Sequence, residues 1–121
     1  MTIQIFTHDD CLQHNPGAGH PENPERLANI LSALHNSALK SSLSFHDAPL
    51  GTDAQILLAH EANHLERIRE TAPEEGEAAL DADTRMSPGS LNAILRAVGA
   101  ACQGVDNLMA DNSGTVFCAT R

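Results

Sequence analysis

Tryptophan and tyrosine are absent from this chain, and phenylalanine occurs only three times in 121 residues. With aromatics at 2% and apolar residues at 41%, alanine and leucine must supply the packing, which favours helices over a β-sandwich. Basic residues are scarce as well: seven Lys and Arg stand against sixteen Asp and Glu, a formal charge of -9. The few cations are scattered, so a nucleic-acid surface is not expected. Cysteine is confined to Cys11, Cys102 and Cys118, an odd, widely spaced set without a CxxC pair. That pattern reads as reduced thiols in the cytoplasm rather than a disulfide framework. No apolar run approaches membrane-spanning length and no charged-then-apolar leader precedes the first apolar stretch, so no membrane association is expected. The length suits one domain over residues 1–121 with a modest core.

What is present alternates between strand and helix patterns. Ile3, Ile5 and Phe6 form a short β-like run that ends at the polar His8-Asp9-Asp10. A loop follows, with turns marked by Pro16-Gly17 and Gly19. Asn23 is positioned as an N-cap with Pro24 at the first helical position, and Leu27, Ile30, Leu31 and Leu34 share a face, which predicts an amphipathic helix over 24–36. Leu43-Ser44-Phe45-His46 reads as a second strand. Thr52 can cap a helix carrying Ile56, Leu57 and Leu58, and a further helix carries Ala62, Leu65 and Ile68 before Pro73. Residues 74–83 are acidic and read as solvated loop.

Ser87-Pro88 reads as an N-cap and first-turn pair for the longest element. In it Leu91, Ile94, Leu95, Val98, Cys102, Val105, Leu108 and Met109 recur at helical spacing, expected as core. Gly99 and Gly104 within it are expected to admit a close neighbour. Asn112-Ser113-Gly114 ends the helix, and 115–119 forms a third strand with Cys118 expected to be buried. Strand, helix, strand, helix, strand with helical crossovers predicts an α/β fold on a three-stranded parallel sheet with flanking helices.

A polar loop rich in His, Gly and Pro at the carboxyl end of a strand is where α/β enzymes build their sites. His20-Pro21-Glu22-Asn23-Pro24-Glu25-Arg26-Leu27 resembles the HPE-x-PERL segment of class II histone deacetylase-like proteins, a group that includes bacterial acetoin-utilisation and acetylpolyamine amidohydrolase relatives. Leu57-Leu58-Ala59-His60 with His64-Leu65-Glu66-Arg67-Ile68 resembles a further family stretch. Leu80-Asp81-Ala82-Asp83-Thr84 through Ser87-Pro88-Gly89-Ser90 resembles the family's DxDT-x-x-SPGS loop. Phe117-Cys118-Ala119-Thr120-Arg121 resembles the strand leading into its RPPGHHA motif. Four such fragments in order and at matching distances make the resemblance specific.

The resemblance implies a partial arginase/deacetylase-type fold and, for a complete domain, zinc-dependent hydrolysis of an N-acetyl amide. It also implies that the zinc ligands, two Asp and one His, and the His-His acid-base pair lie beyond Arg121. The expectation is therefore no catalytic residue, no zinc ligand and no activity in this chain alone. By position, His20, Pro21 and Glu22 would line one wall of the acyl-lysine tunnel, with Asp83 and Thr84 near its rim. Arg26 would lie under the active site beside an internal channel, a role suited to a permanently charged fork of donors. The simpler alternative is that Arg26 bonds the loop carbonyls.

Two metal readings are open at this level. Cys11, His14 and His20 share the first loop, but three ligands on such a loop make a poor closed site. His8 is expected to be satisfied by backbone and His14 to be an exposed loop residue. His60-Glu61-Ala62-Asn63-His64 fits HExxH formally; a break between two short helices would separate the imidazoles, and no third ligand is specified. Two function classes follow: part of a zinc amidohydrolase, or an autonomous non-catalytic binding module that kept the scaffold. In either case the last strand and long helix are expected to mediate homo-oligomerisation, because an open apolar edge is a pairing site.

Overall fold

The computed structural model describes residues 2–111 and 114–121. β1 (Ile3–Thr7) is the central strand, with β2 (Leu43–Asp47) on one side and β5 (Thr115–Cys118) on the other, both parallel to it. The ladder continues past the strand ends: the Ala48 N–H donates to the Thr7 carbonyl and the Ala119 N–H to the Phe6 carbonyl, each at 2.8 Å. The expected three-stranded parallel sheet with helices is the observed architecture.

Alternation along β1 sends successive side chains to opposite faces. Ile5 packs with Cys11, Leu27 and Ala119, flanked by Leu31, Leu34 and Phe45, on the side of α1 (Pro24–Asn36). Phe6 packs with Ala48 and Ala100, flanked by Val116 and Cys118, on the side of α4 (Ser90–Asp111). Cys118 is thus half-buried rather than buried as expected. α1 has the expected bounds, and the Asn23 side chain accepts from the Arg26 N–H at 3.2 Å while Pro24 fills a position whose N–H needs no partner.

α2 (Asp53–Ile56) opens on the expected cap, where Thr52 and Gln55 form a reciprocal capping box. The helix stops at Ile56, so Leu57 and Leu58 fall outside it and Leu58 is largely exposed. α3 (Ala62–Thr71) buries Leu65. Residues 74–83 are not all loop. β3 (Ala78–Ala79) pairs antiparallel with β4 (Arg85–Met86), closed by the Leu80 N–H donating to the Thr84 carbonyl at 2.8 Å. Asp81 Oδ1 accepts from the Asp83 and Thr84 N–H groups at 2.9 and 2.8 Å, and these bonds hold its carboxyl below the usual carboxylate range. Arg67 of α3 donates to the Leu80 carbonyl, joining helix to hairpin.

α4 departs from the periodicity reading in two ways. It begins at Ser90, with the Gly89 carbonyl accepting from the Ala93 N–H at 3.1 Å, so Ser87-Pro88 precedes the helix instead of capping it. Its buried positions are Ser90, Ala93, Gly99, Ala100 and Gly104, while Val105 and Met109 stay 58% and 77% exposed. Small residues are required because the sheet side comes too close for large ones. A Cβ at Gly99 would collide with the Pro49 carbonyl oxygen, and one at Gly104 would sit 2.7 Å from Val116 Cγ1. Arg96 fixes the helix by donating at 2.8 Å both to Asp10 and to the Ala48 carbonyl. Asn112 and Ser113, expected to end α4, lie outside the described residues. No helix among the described residues is long and apolar enough to cross a membrane.

Candidate functional site

The carboxyl end of β1 runs into a 3-10 turn (Asp9–Gln13) whose first N–H groups are capped by His8: its Nδ1 accepts from the Asp10 N–H at 3.0 Å. His8 is therefore satisfied by backbone, as expected. The loop beyond bends at Gly17 (φ 112°) and Gly19 (φ 77°), both in the left-handed region that glycine tolerates. Cys11 points into the core, and burial pushes its thiol pKa up.

His14 is not the exposed residue expected. It is half-buried, with Nδ1 sharing a 2.7 Å hydrogen bond with Ser90 Oγ. Ser90 is fully buried and also accepts from the Ser87 N–H at 2.7 Å. Ser87 Oγ donates to the Gln13 carbonyl and accepts from the Asn15 N–H, each at 3.0 Å, and lies 3.1 Å from Ser90 Oγ. Two serines just before and at the start of α4 thus hold the loop's backbone on both sides of His14. Burial first, then the charge of Arg121 and the neighbouring His20, holds the His14 pKa below the ordinary histidine value.

His20 and Asp83 meet across the site. His20 Nδ1 accepts from the Glu22 N–H at 3.1 Å, which leaves Nε2 as the protonated nitrogen, 3.2 Å from the Asp83 carbonyl oxygen to which it donates. A shallow open groove of about 630 Å³ lies over this junction, lined by residues 16–21, Glu77, Asp83 and Arg85. Arg85 is paired with Glu77 at 3.4 Å. Beside the groove, a cavity of about 10 Å³ is lined by Cys11, His14, Glu22, Asn23, Pro24, Arg26, Leu27 and Arg121. There Glu22 pairs with Arg121, and His14 Nε2 is 3.9 Å from Glu22 Oε2.

Of the six residues expected at the site, His20, Pro21 and Asp83 share the groove and Glu22 and Arg26 share the small cavity. Thr84 sits in the turn below, its N–H on Asp81, and lines neither. Arg26 is exposed and bonds no loop carbonyl among the described residues, so the simpler role weighed for it is not realised. His14 and Ser90 were missed as site residues. The SPGS stretch was legible as a motif, but its first serine read as a helix cap.

Neither metal reading finds a matching donor set. Cys11 is buried in the core, His14 is committed to Ser90 and His20 to Asp83. His60 precedes α3, so His60 and His64 do not stand on successive turns of one helix. Their rings are nevertheless stacked at 4.8 Å, which corrects the expectation that the helix break would separate them. Among the described residues no group of three or more His, Cys, Asp or Glu side chains can hold a metal ion.

The model of the histone deacetylase domain matches residues 20–121. The chain belongs to the histone deacetylase domain family. It is 29% identical over 110 residues to the histone deacetylase-like amidohydrolase of Pseudomonas aeruginosa, covering 91% of this chain and 29% of that protein. It is 27% identical over 147 residues to type-2 histone deacetylase 2 of Dictyostelium discoideum, covering 99% of this chain and 9% of that one. The solved HDA15 HD domain shares the fold, with a TM-score of 0.85 at 19% identity over 100% of this chain and 36% of that chain. The chain therefore spans about a third or less of these relatives.

Proposed function

We propose that residues 1–121 form the entrance side of a zinc-dependent deacetylase domain acting on an N-acetyl amide of the acetyl-lysine or acetylpolyamine type. The observation that carries this reading is the His20–Asp83 bond, which joins the family's HPE and DxDT stretches at one groove. Zinc, where the rest of such a domain held it, would supply Lewis-acid chemistry for the amide; in this reading its ligands would come from residues outside this chain. The chain's own part is to shape the tunnel mouth. Pro21 and the glycine turns give a fixed wall, Asp83 offers a carboxylate at the rim, and Arg26 and Glu22 stand behind the wall. The three free cysteines fit the reducing cytoplasm.

The chain alone is expected to be inactive. Incubation with zinc and an acetyl-lysine peptide should release no acetate above the protein-free control. Turnover abolished by a chelator would overturn the assignment of catalysis to residues elsewhere.

A second reading, non-catalytic assembly through β5 and α4, is favoured by a separate observation. The Ala119 N–H donates to β1, so alternation turns the main-chain groups of Val116 and Cys118 away from it. Beside that edge Val105 and Met109 of α4 are exposed. Sedimentation velocity across a micromolar concentration series should reveal species larger than a monomer, reduced in Val105→Glu with Met109→Glu. A single monomer at every concentration would exclude it.

A further inference from the structure

Two imidazoles touch where α2 gives way to α3. His60 closes the turn after α2, its N–H donating to the Ile56 carbonyl at 3.0 Å. His64 lies in the first turn of α3, its N–H donating to the Glu61 carbonyl at 3.1 Å. The backbone is thus pinned on both sides of Glu61, and the two rings are stacked, with centroids 4.8 Å apart and planes 30° from parallel. Both residues are exposed. Among the described residues neither ring makes a hydrogen bond or an ion pair, so their ring nitrogens are free of protein partners. The other histidines differ: His8, His14, His20 and His46 each have a hydrogen-bonded ring nitrogen, and His35 lies against Phe45.

We propose that His60 and His64 form a two-imidazole site for a divalent late transition-metal ion, whose remaining coordination positions are filled by water. Neutral imidazole is a lone-pair donor suited to Zn2+, Ni2+ and Cu2+, whereas Mg2+ and Ca2+ take oxygen ligands. Metal–nitrogen bonds of about 2.0–2.1 Å put two neighbouring ligand nitrogens roughly 3–3.4 Å apart. Rings with centroids 4.8 Å apart reach that separation by tilting, and no side-chain hydrogen bond has to break. Because the backbone holds both rings together, the second bond forms at a high effective concentration. The Glu61 side chain makes no capping bond to α3, and its charge, like the formal charge of -9 on the whole chain, favours a cation. The arrangement is not the catalytic HExxH one, since the pair straddles the start of α3 and no third protein ligand joins it among the described residues. An ion held this way keeps several waters and exchanges readily, unlike one in a closed four-ligand site. Neither histidine lines the groove or the small cavity, so this site and the proposed deacetylase chemistry stand or fall separately.

The test is a titration of this chain with Ni2+ alone, which is paramagnetic, with Mg2+ as the oxygen-seeking control. Substoichiometric Ni2+ should broaden the ring resonances of His60 and His64 ahead of those of the other histidines, and Mg2+ should leave them unshifted. Calorimetry should give one Ni2+ per chain, displaced by Zn2+. In His60→Ala and in His64→Ala the affinity should each time fall at least about tenfold, since even the loss of an outer partner of a metal ligand costs that much. The double variant should lose little more, because a pair is broken by removing either member. Urea midpoints should stay at the parent value in both single variants, as neither ring bonds another side chain. An affinity essentially unchanged in either single variant, as two independent histidines would give, overturns the proposal. So does broadening that starts at His14 and His20, or the absence of Ni2+ binding.

Discussion

His20 Nε2 donates to the carbonyl oxygen of Asp83 at 3.2 Å, a bond between residues 63 apart in the chain. Its other ring nitrogen accepts from the Glu22 N–H. One imidazole therefore fixes the HPE stretch locally and pins it to the Asp81–Thr84 turn at the same time. An exposed pair of this kind contributes little global stability, and its importance lies in keeping two loops in register over a groove.

Ser90 is the buried counterpart of that bond. Ser90→Ala removes the acceptor for the Ser87 N–H and the partner of His14, leaving buried polar groups unpaired. The expected cost is about 1–3 kcal/mol, read as a lower urea midpoint with an unchanged slope. Ser90→Thr is not a safe rescue, because the position is fully buried and has no room for a methyl.

Gly99→Ala should destabilise the chain although alanine is the better helix former by about 1 kcal/mol. The new Cβ would meet the carbonyl of Pro49, a backbone atom that cannot rotate away. The net loss is expected at about 1–3 kcal/mol, as for other overpacked positions. Gly104→Ala meets the Val116 side chain instead and should cost less. Thermal unfolding of the two variants gives the order directly.

His14 predicts a pH dependence of stability with a definite sign. Its folded pKa lies below the ordinary value of 6.5, so between the two the unfolded chain binds more protons than the folded one. The contribution is fully present above 6.5 and is lost as pH falls toward the folded pKa, below which it is constant. His14→Asn should flatten the stability profile in that window, measured by urea unfolding at half-unit pH steps, about six points in all.

How far the sequence reached depends on what each element is made of. α1 was legible to the residue because a cap, a first-turn proline and a clean apolar face coincide at Asn23, Pro24 and Leu27. The β3–β4 hairpin was not, since two-residue strands carry no period and their identity depends on the Asp81 turn that closes them. In α4 the helix and the close approach at Gly99 and Gly104 were legible, but the exposure of Val105 and Met109 in its apolar stripe was not. Hydropathy selects Val105 and Met109, whereas the close approach of Pro49 and Val116 selects Gly99 and Gly104. At the site, His20 and Asp83 followed from the family motifs. His14 did not, because nothing local announces a partner at Ser90, 76 residues away.

The most direct measurement is acetate release from an acetyl-lysine peptide by this chain mixed with a second chain carrying the rest of a histone deacetylase domain, with zinc present. The expected result is no turnover by this chain alone, chelator-sensitive turnover in the mixture, and a lower rate when His20→Ala is introduced here. Turnover that depends on the second chain but is indifferent to His20→Ala would contradict the placement of this loop at the substrate entrance.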